Sequence, residues 1–174
     1  MTRVFHCVVR PAPALLLALL ALTAAGQVRA AGCSVSSPGL AFGTYQPLTF
    51  SGKLTSTDKS STATISVVCS GIVTGGSYTL ALGPSLVGSG NRISTRYLSN
   101  TSGGDNMAFN VYREFSYTTV WGDGIAAGSV LGGSIPAGDS SQSQSVYGKI
   151  PSGQKTLKAG TFSGSLTMTL TYNP

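Results

Sequence analysis

The chain has 174 residues, a formal charge of +6 and only 9% charged side chains, and it carries a single histidine. A thin positive balance spread along the whole length is not the clustered basic footprint of a nucleic-acid binder. Five carboxylates and one imidazole leave little for acid–base catalysis.

The first element in chain order reads as a leader. Met1 to Pro13 carries Arg3 and Arg10 and no acid, and Ala14 to Ala25 is an apolar run. Val28-Arg29-Ala30 then offers small or tolerated residues for cleavage after Ala30, so residues 1–30 are expected to be a signal peptide. The apolar run falls short of the roughly 20 residues that span a bilayer, and no stable membrane insertion is expected after cleavage. Ala30-Ala31-Gly32-Cys33 has the small residues of a lipobox without its leucine. Residues 31–174 are then one domain of 144 residues, long enough for a core of its own. Its charge is +3, because Arg3, Arg10 and Arg29 leave with the leader, as do His6 and Cys7.

Two cysteines remain, Cys33 and Cys69. In an exported chain an even count reads as a structural disulfide. Closing a loop of this length stabilises by roughly 3–4 kcal/mol on the chain-entropy account. Two thiols without a histidine cannot furnish a zinc site, and no CxxC suggests redox work, so no metal and no cofactor are expected.

Further along, period two dominates. Ala63, Ile65, Val67 and Cys69 alternate with Thr64, Ser66 and Val68, predicting a strand with one buried face. Tyr78, Leu80 and Leu82 predict a second strand. Arg92 and Arg96 flank a short polar strand and read as solvated edge charges, with anion binding as the alternative. Met107, Phe109 and Val111 interleave with Ala108, Asn110 and Tyr112, a strand with two demanding faces. Residues 118–138 read as loop or as short strands. Val146 to Ile150 is a strand stopped by Pro151, and Leu166, Met168, Leu170 and Tyr172 alternate with Thr167, Thr169 and Thr171 in the last one. Gly103-Gly104-Asp105, Gly122-Asp123-Gly124 and Gly132-Gly133 read as turns, with Asp123-Gly124 a hairpin pair. Short strands at this spacing predict an all-β sandwich. No GxSxG elbow accompanies the abundant serines and the mature chain has no histidine to activate one, so an enzyme is not expected.

Six short motifs in order carry a resemblance. Cys33-Ser34-Val35, Phe42-Gly43-Thr44-Tyr45, Cys69-Ser70-Gly71, Trp121-Gly122-Asp123-Gly124, Val146-Tyr147-Gly148-Lys149-Ile150-Pro151 and Ala159-Gly160-Thr161-Phe162 together resemble the spore coat protein U family. That family includes the pilins of archaic chaperone–usher pili, and the resemblance runs from Cys33 to Tyr172. It implies an incomplete immunoglobulin-like β-sandwich that lacks its last strand. In such pili a periplasmic chaperone, and then the next pilin subunit at an outer-membrane usher, fills the resulting groove with a donated strand. Leu166, Met168, Leu170 and Tyr172 are the candidate groove residues, because the chain ends two residues after them. The resemblance further implies export through the periplasm to a surface fimbrium, with roles in adhesion and biofilm formation.

One departure stands out against a shaft pilin. A donating subunit needs about ten extended residues ahead of its first cysteine, at roughly 3.3 Å each. After cleavage at Ala30 only Ala31 and Gly32 remain there, so the chain is expected to accept a donor strand without giving one, at a pilus end. Two other readings are a secreted coat protein that assembles without an usher and a carbohydrate-binding adhesin module. For the second, Tyr45, Tyr97, Tyr117 and Trp121 are aromatic candidates for contact with a host surface or glycan, Tyr97 and Trp121 foremost.

Overall fold

The computed structural model describes residues 31–173, so the segment read as a signal peptide lies outside the described residues. The alternating stretch at Ala63 to Cys69 sits within a long strand, Lys59–Ile72, in which Ala63, Ile65, Val67 and Cys69 are buried while Thr64, Ser66 and Val68 take the other face. In chain order the strands are β1 (Gly32–Ser36), β2 (Lys59–Ile72), β3 (Gly76–Leu82), β4 (Arg96–Asn100), β5 (Asn106–Tyr112), β6 (Leu131–Ile135), β7 (Gly138–Ile150), β8 (Phe162–Ser163) and β9 (Met168–Asn173). No helix occurs among the described residues. The fold is all-β, in two sheets, as the patterning predicts.

One sheet has six strands in the order β1-β2-β7-β5-β4-β8, and the other has three in the order β6-β3-β9. All strand pairs are antiparallel. Ile65, Val67, Phe109, Val111, Val146 and Ile150 of the larger sheet share a core with Tyr78, Leu80 and Leu131 of the smaller one. This is the arrangement in which inward residues of two sheets interdigitate and polar ones alternate outward. Between β8, which pairs with β4, and β9, which pairs with β3, the chain crosses from one sheet to the other.

Two turn assignments change. Gly132-Gly133 lies inside β6, not in a turn, because Tyr78 of β3 packs across that strand. A Cβ on Gly133 would stand 2.8 Å from the Tyr78 ring and 2.9 Å from its phenol oxygen, so the strand needs a residue with no side chain there. Asp123-Gly124 is not a two-residue hairpin either. The Asp123 carboxylate accepts the backbone N–H groups of Ile125, Ala126 and Ala127 at 3.0, 2.8 and 3.2 Å, which closes a longer loop running back to Ser129. Gly103 and Gly104 do form the expected turn, with φ of 88° and 96° between β4 and β5.

Candidate functional site

Among the described residues each of the two sheets ends in a strand with one unpaired edge. β1 pairs only with β2, and β9 pairs only with β3. The two strands approach each other without pairing. A cleft of about 740 Å³ opens between the chain that follows β1, residues 40–48, and the chain that leads toward β9, residues 157–164, over Leu98, Met107 and Ile150.

The first wall is built by packing that the sequence supports residue by residue. Leu40 and Phe42 lean over β7 at Gly148, where a Cβ would come within 2.7 Å of the Phe42 ring and 2.8 Å of Leu40. Only glycine lets the wall settle that closely on the sheet. Phe42 meets Phe109 edge-on at 6.0 Å between ring centroids. Tyr45 donates its hydroxyl to the Pro151 carbonyl at 2.8 Å and accepts the Gln154 N–H at 3.2 Å. Gln154 in turn presents its amide to both backbone groups of Ala108, accepting at 2.7 Å and donating at 2.9 Å, and so stands in for a strand where β7 has left β5.

The second wall runs through Leu157 and Phe162 into the last strand. Leu166, Met168, Leu170 and Tyr172 all pack against the core, yet all stay half-buried. Their partners across the pair, Leu82, Leu80 and Tyr78, are almost completely buried. Facing the same layer with different exposure has one cause: among the described residues no strand pairs with the far edge of β9. The half-buried row therefore alternates from Leu166 to Tyr172. Leu166 precedes β9 rather than belonging to it.

None of Leu166, Met168, Leu170 and Tyr172 lines the cleft itself, whose larger apolar residues include Leu40, Phe42, Tyr45, Leu98, Leu157 and Phe162. A signal for them existed in the sequence. Phe42-Gly43-Thr44-Tyr45 and Ala159-Gly160-Thr161-Phe162, two of the motifs that carry the resemblance, face each other across the opening.

The remaining candidates are placed as follows. Cys33 and Cys69 sit directly opposite each other on β1 and β2 and are joined by a disulfide, which pins the edge strand β1 to the sheet. Trp121 is in the core rather than on the surface. It is 2% exposed, and its indole N–H donates to the Leu80 carbonyl at 2.8 Å, so it offers no contact platform. Tyr97 is half-buried with its ring laid against Gly88. Tyr45 is a structural tie, and Tyr117 stands at the surface of a loop.

Arg96 is not a solvated edge charge: it is wholly buried. Its guanidinium donates to the carbonyls of Gly83, Leu82 and Trp121 at 2.9, 2.8 and 2.9 Å and to the Asn110 side-chain oxygen at 2.6 Å. Burial pulls its pKa down to about 10, with the Asp123 charge opposing. It ties β3 of one sheet to β4 and β5 of the other. Arg92 binds the Leu86 carbonyl at 2.9 Å within its own loop.

Among the described residues no three His, Cys, Asp or Glu side chains gather as a metal site. No helix there is long and apolar enough to cross a membrane. The family model of the Spore Coat Protein U domain matches residues 18–169 of the chain. No curated protein matches it.

Proposed function

Because the chain belongs to the Spore Coat Protein U domain family, whose members are surface structural proteins of the coat and fimbria type, we propose that it is a subunit of a surface fimbria, exported through the periplasm. A periplasmic chaperone lends the strand that fills its groove. At the outer-membrane usher another pilin subunit replaces that strand, and the assembled fibre serves adhesion and biofilm formation. The observation that supports this reading is the pair of unpaired edges on β1 and β9, with Leu166, Met168, Leu170 and Tyr172 left half-buried, together with the open cleft between the chain that follows β1 and the chain that leads toward β9. An inserted strand gains backbone hydrogen bonds at the edge and pockets for alternate side chains, the two terms of strand addition.

The subunit accepts a strand but does not donate one. β1 begins at Gly32, which already pairs with Ser70, so with cleavage after Ala30 no free extension precedes the first strand. A mass spectrum of the mature protein tests this part alone, since a start far upstream of Ala24 supplies a donor segment and overturns it.

The groove is tested by expressing the full chain in a periplasm with and without a periplasmic pilus chaperone. A one-to-one complex is expected, lost on Phe162→Lys and retained on Val73→Lys, since Val73 is 86% exposed at the β2–β3 turn. A chain that accumulates as folded, soluble monomer without any chaperone would instead favour a coat protein that assembles without an usher.

A further inference from the structure

The outer face of the six-stranded sheet carries a second cleft, of about 220 Å³, that shares no lining residue with the groove. Val111 and Ile150 point into the core, so Tyr112 on β5 and Lys149 on β7 point out and form its floor. Tyr117 rises from the following loop with its ring at 88° to that of Tyr112 and 5.4 Å away, making a two-sided aromatic corner. Ser94 and Thr95 form the opposite rim and are exposed.

The corner is built rigid. Tyr117 has φ of 57°, the left-handed region that non-glycine residues seldom occupy. Glu114 holds it there: its carbonyl accepts the Tyr117 N–H at 3.1 Å, and its carboxylate accepts the Thr118 hydroxyl at 2.6 Å, the Thr118 N–H at 3.2 Å and the Thr119 N–H. The rim is fixed too, because the buried Asn110 amide donates to the carbonyls of Ile93 and Ser94 at 3.0 and 2.7 Å.

The chemistry of the lining selects a ligand class. Tyr, Ser and Thr hydroxyls each donate and accept, and aromatic faces take an apolar ring surface. The one cation, Lys149, lies 5.2 Å from the Tyr117 ring centroid and is paired with Asp58 at 2.7 Å, so its charge is already matched. A purely apolar ligand leaves the hydroxyls without partners, and an anion must compete with Asp58. A polyhydroxylated ring with one apolar face and no charge satisfies both kinds of group.

We propose that this cleft binds one pyranose ring of a neutral saccharide, cupped by Tyr112 and Tyr117 and hydrogen-bonded at Ser94 and Thr95. The inference stands apart from strand donation, and either holds without the other.

The test uses the full oxidised chain with cellohexaose, chitohexaose and maltohexaose as neutral probes and dextran sulfate as a charged one, read by saturation-transfer NMR and calorimetry. At least one neutral hexasaccharide is expected to bind, with affinity that barely changes with salt. Tyr117→Asn and Tyr112→Leu each weaken it about tenfold. Asparagine tolerates the left-handed backbone, so the loop survives the first change. An unchanged unfolding midpoint shows that the variants fold, and Val73→Ser serves as the distant control. The proposal is overturned if none of the three neutral probes binds, if the tyrosine variants bind them as well as the parent, or if dextran sulfate alone binds and does so only at low salt.

Discussion

Replacing Arg96 by alanine removes the donor from four acceptors drawn from three separate stretches of chain. Hydrogen bonds from a charged group contribute about 1.5–3 kcal/mol each, or roughly 6–12 kcal/mol for the set. Against this stands the cost of burying the charge. A pKa drawn down from the ordinary guanidinium range to about 10 corresponds to roughly 3 kcal/mol. The difference leaves several kcal/mol in favour of the intact cluster, and breaking one side of a buried charged network typically costs about 3–5 kcal/mol. Arg96→Ala should therefore destabilise by about 4 kcal/mol in urea unfolding of the oxidised protein. Arg96→Lys should recover only part of that, since one ammonium cannot reach acceptors arranged around a planar fork. Because Asn110 takes Nη1 directly, a double-mutant cycle with Asn110→Ala should show coupling of about 1–3 kcal/mol. A loss below about 1 kcal/mol for Arg96→Ala, or a lysine variant as stable as the parent, refutes the reasoning, because the donors would then be exchanging freely with water.

Three further outcomes follow from the same geometry. Converting Cys33 and Cys69 together to serine opens a cross-link between positions 36 apart in sequence and should cost about 4 kcal/mol, read as a lower urea midpoint that reduction of the parent reproduces. Gly133→Ala drives a methyl group into the Tyr78 ring, which cannot swing aside because its phenol oxygen accepts the Gln144 amide at 2.7 Å. A loss of about 1–3 kcal/mol is expected, whereas Gly138→Ala meets open space and strains only its own backbone. The third outcome concerns acid. Backbone N–H groups of Ile125 and Ala127 hold the Asp123 carboxyl below its ordinary 3.8, and the Thr118 hydroxyl followed by the Thr119 N–H hold Glu114 below 4.5. Both groups are more acidic folded than unfolded, so their contribution is complete above those ordinary values and is lost as pH falls below them. The thermal midpoint should stay level down to about pH 5 and then drop. Asp123→Asn should show a shallower drop, and an identical acid limb in that variant would count against the assignment.

The structural elements differ in how far they were legible beforehand, and the difference follows the range of the forces that make them. β2, β3, β5 and β9 are local patterns: alternate residues point to opposite faces, so Ala63 to Cys69 and Met168 to Tyr172 declare their buried side without reference to anything distant. The disulfide was legible because reading residues 1–30 as a leader leaves two cysteines and one pairing. Gly132-Gly133 read as a turn because a residue with no side chain carries no alternation. Its place in β6 follows from Tyr78, more than fifty positions earlier. Arg96 and Trp121 misled for a related reason. Charge and amphipathic rings belong at the surface unless partners await them inside, and all but one of those partners, the Asn110 side chain, are backbone carbonyls, which every residue has and no sequence distinguishes.

The groove divides along the same line. The sequence by itself determined that the last strand has an apolar face, that β1 is tethered through Cys33, and that the family motifs stand in order. Folding alone leaves this face half-covered, because whether a strand has a neighbour depends on how two sheets close around it. It also decided that the opposite wall comes from Leu40 and Phe42, brought over β7 by the missing side chain of Gly148. Side-chain polarity is written residue by residue. An unfilled position between two sheets belongs to no residue, and it exists only once the chain has folded around it.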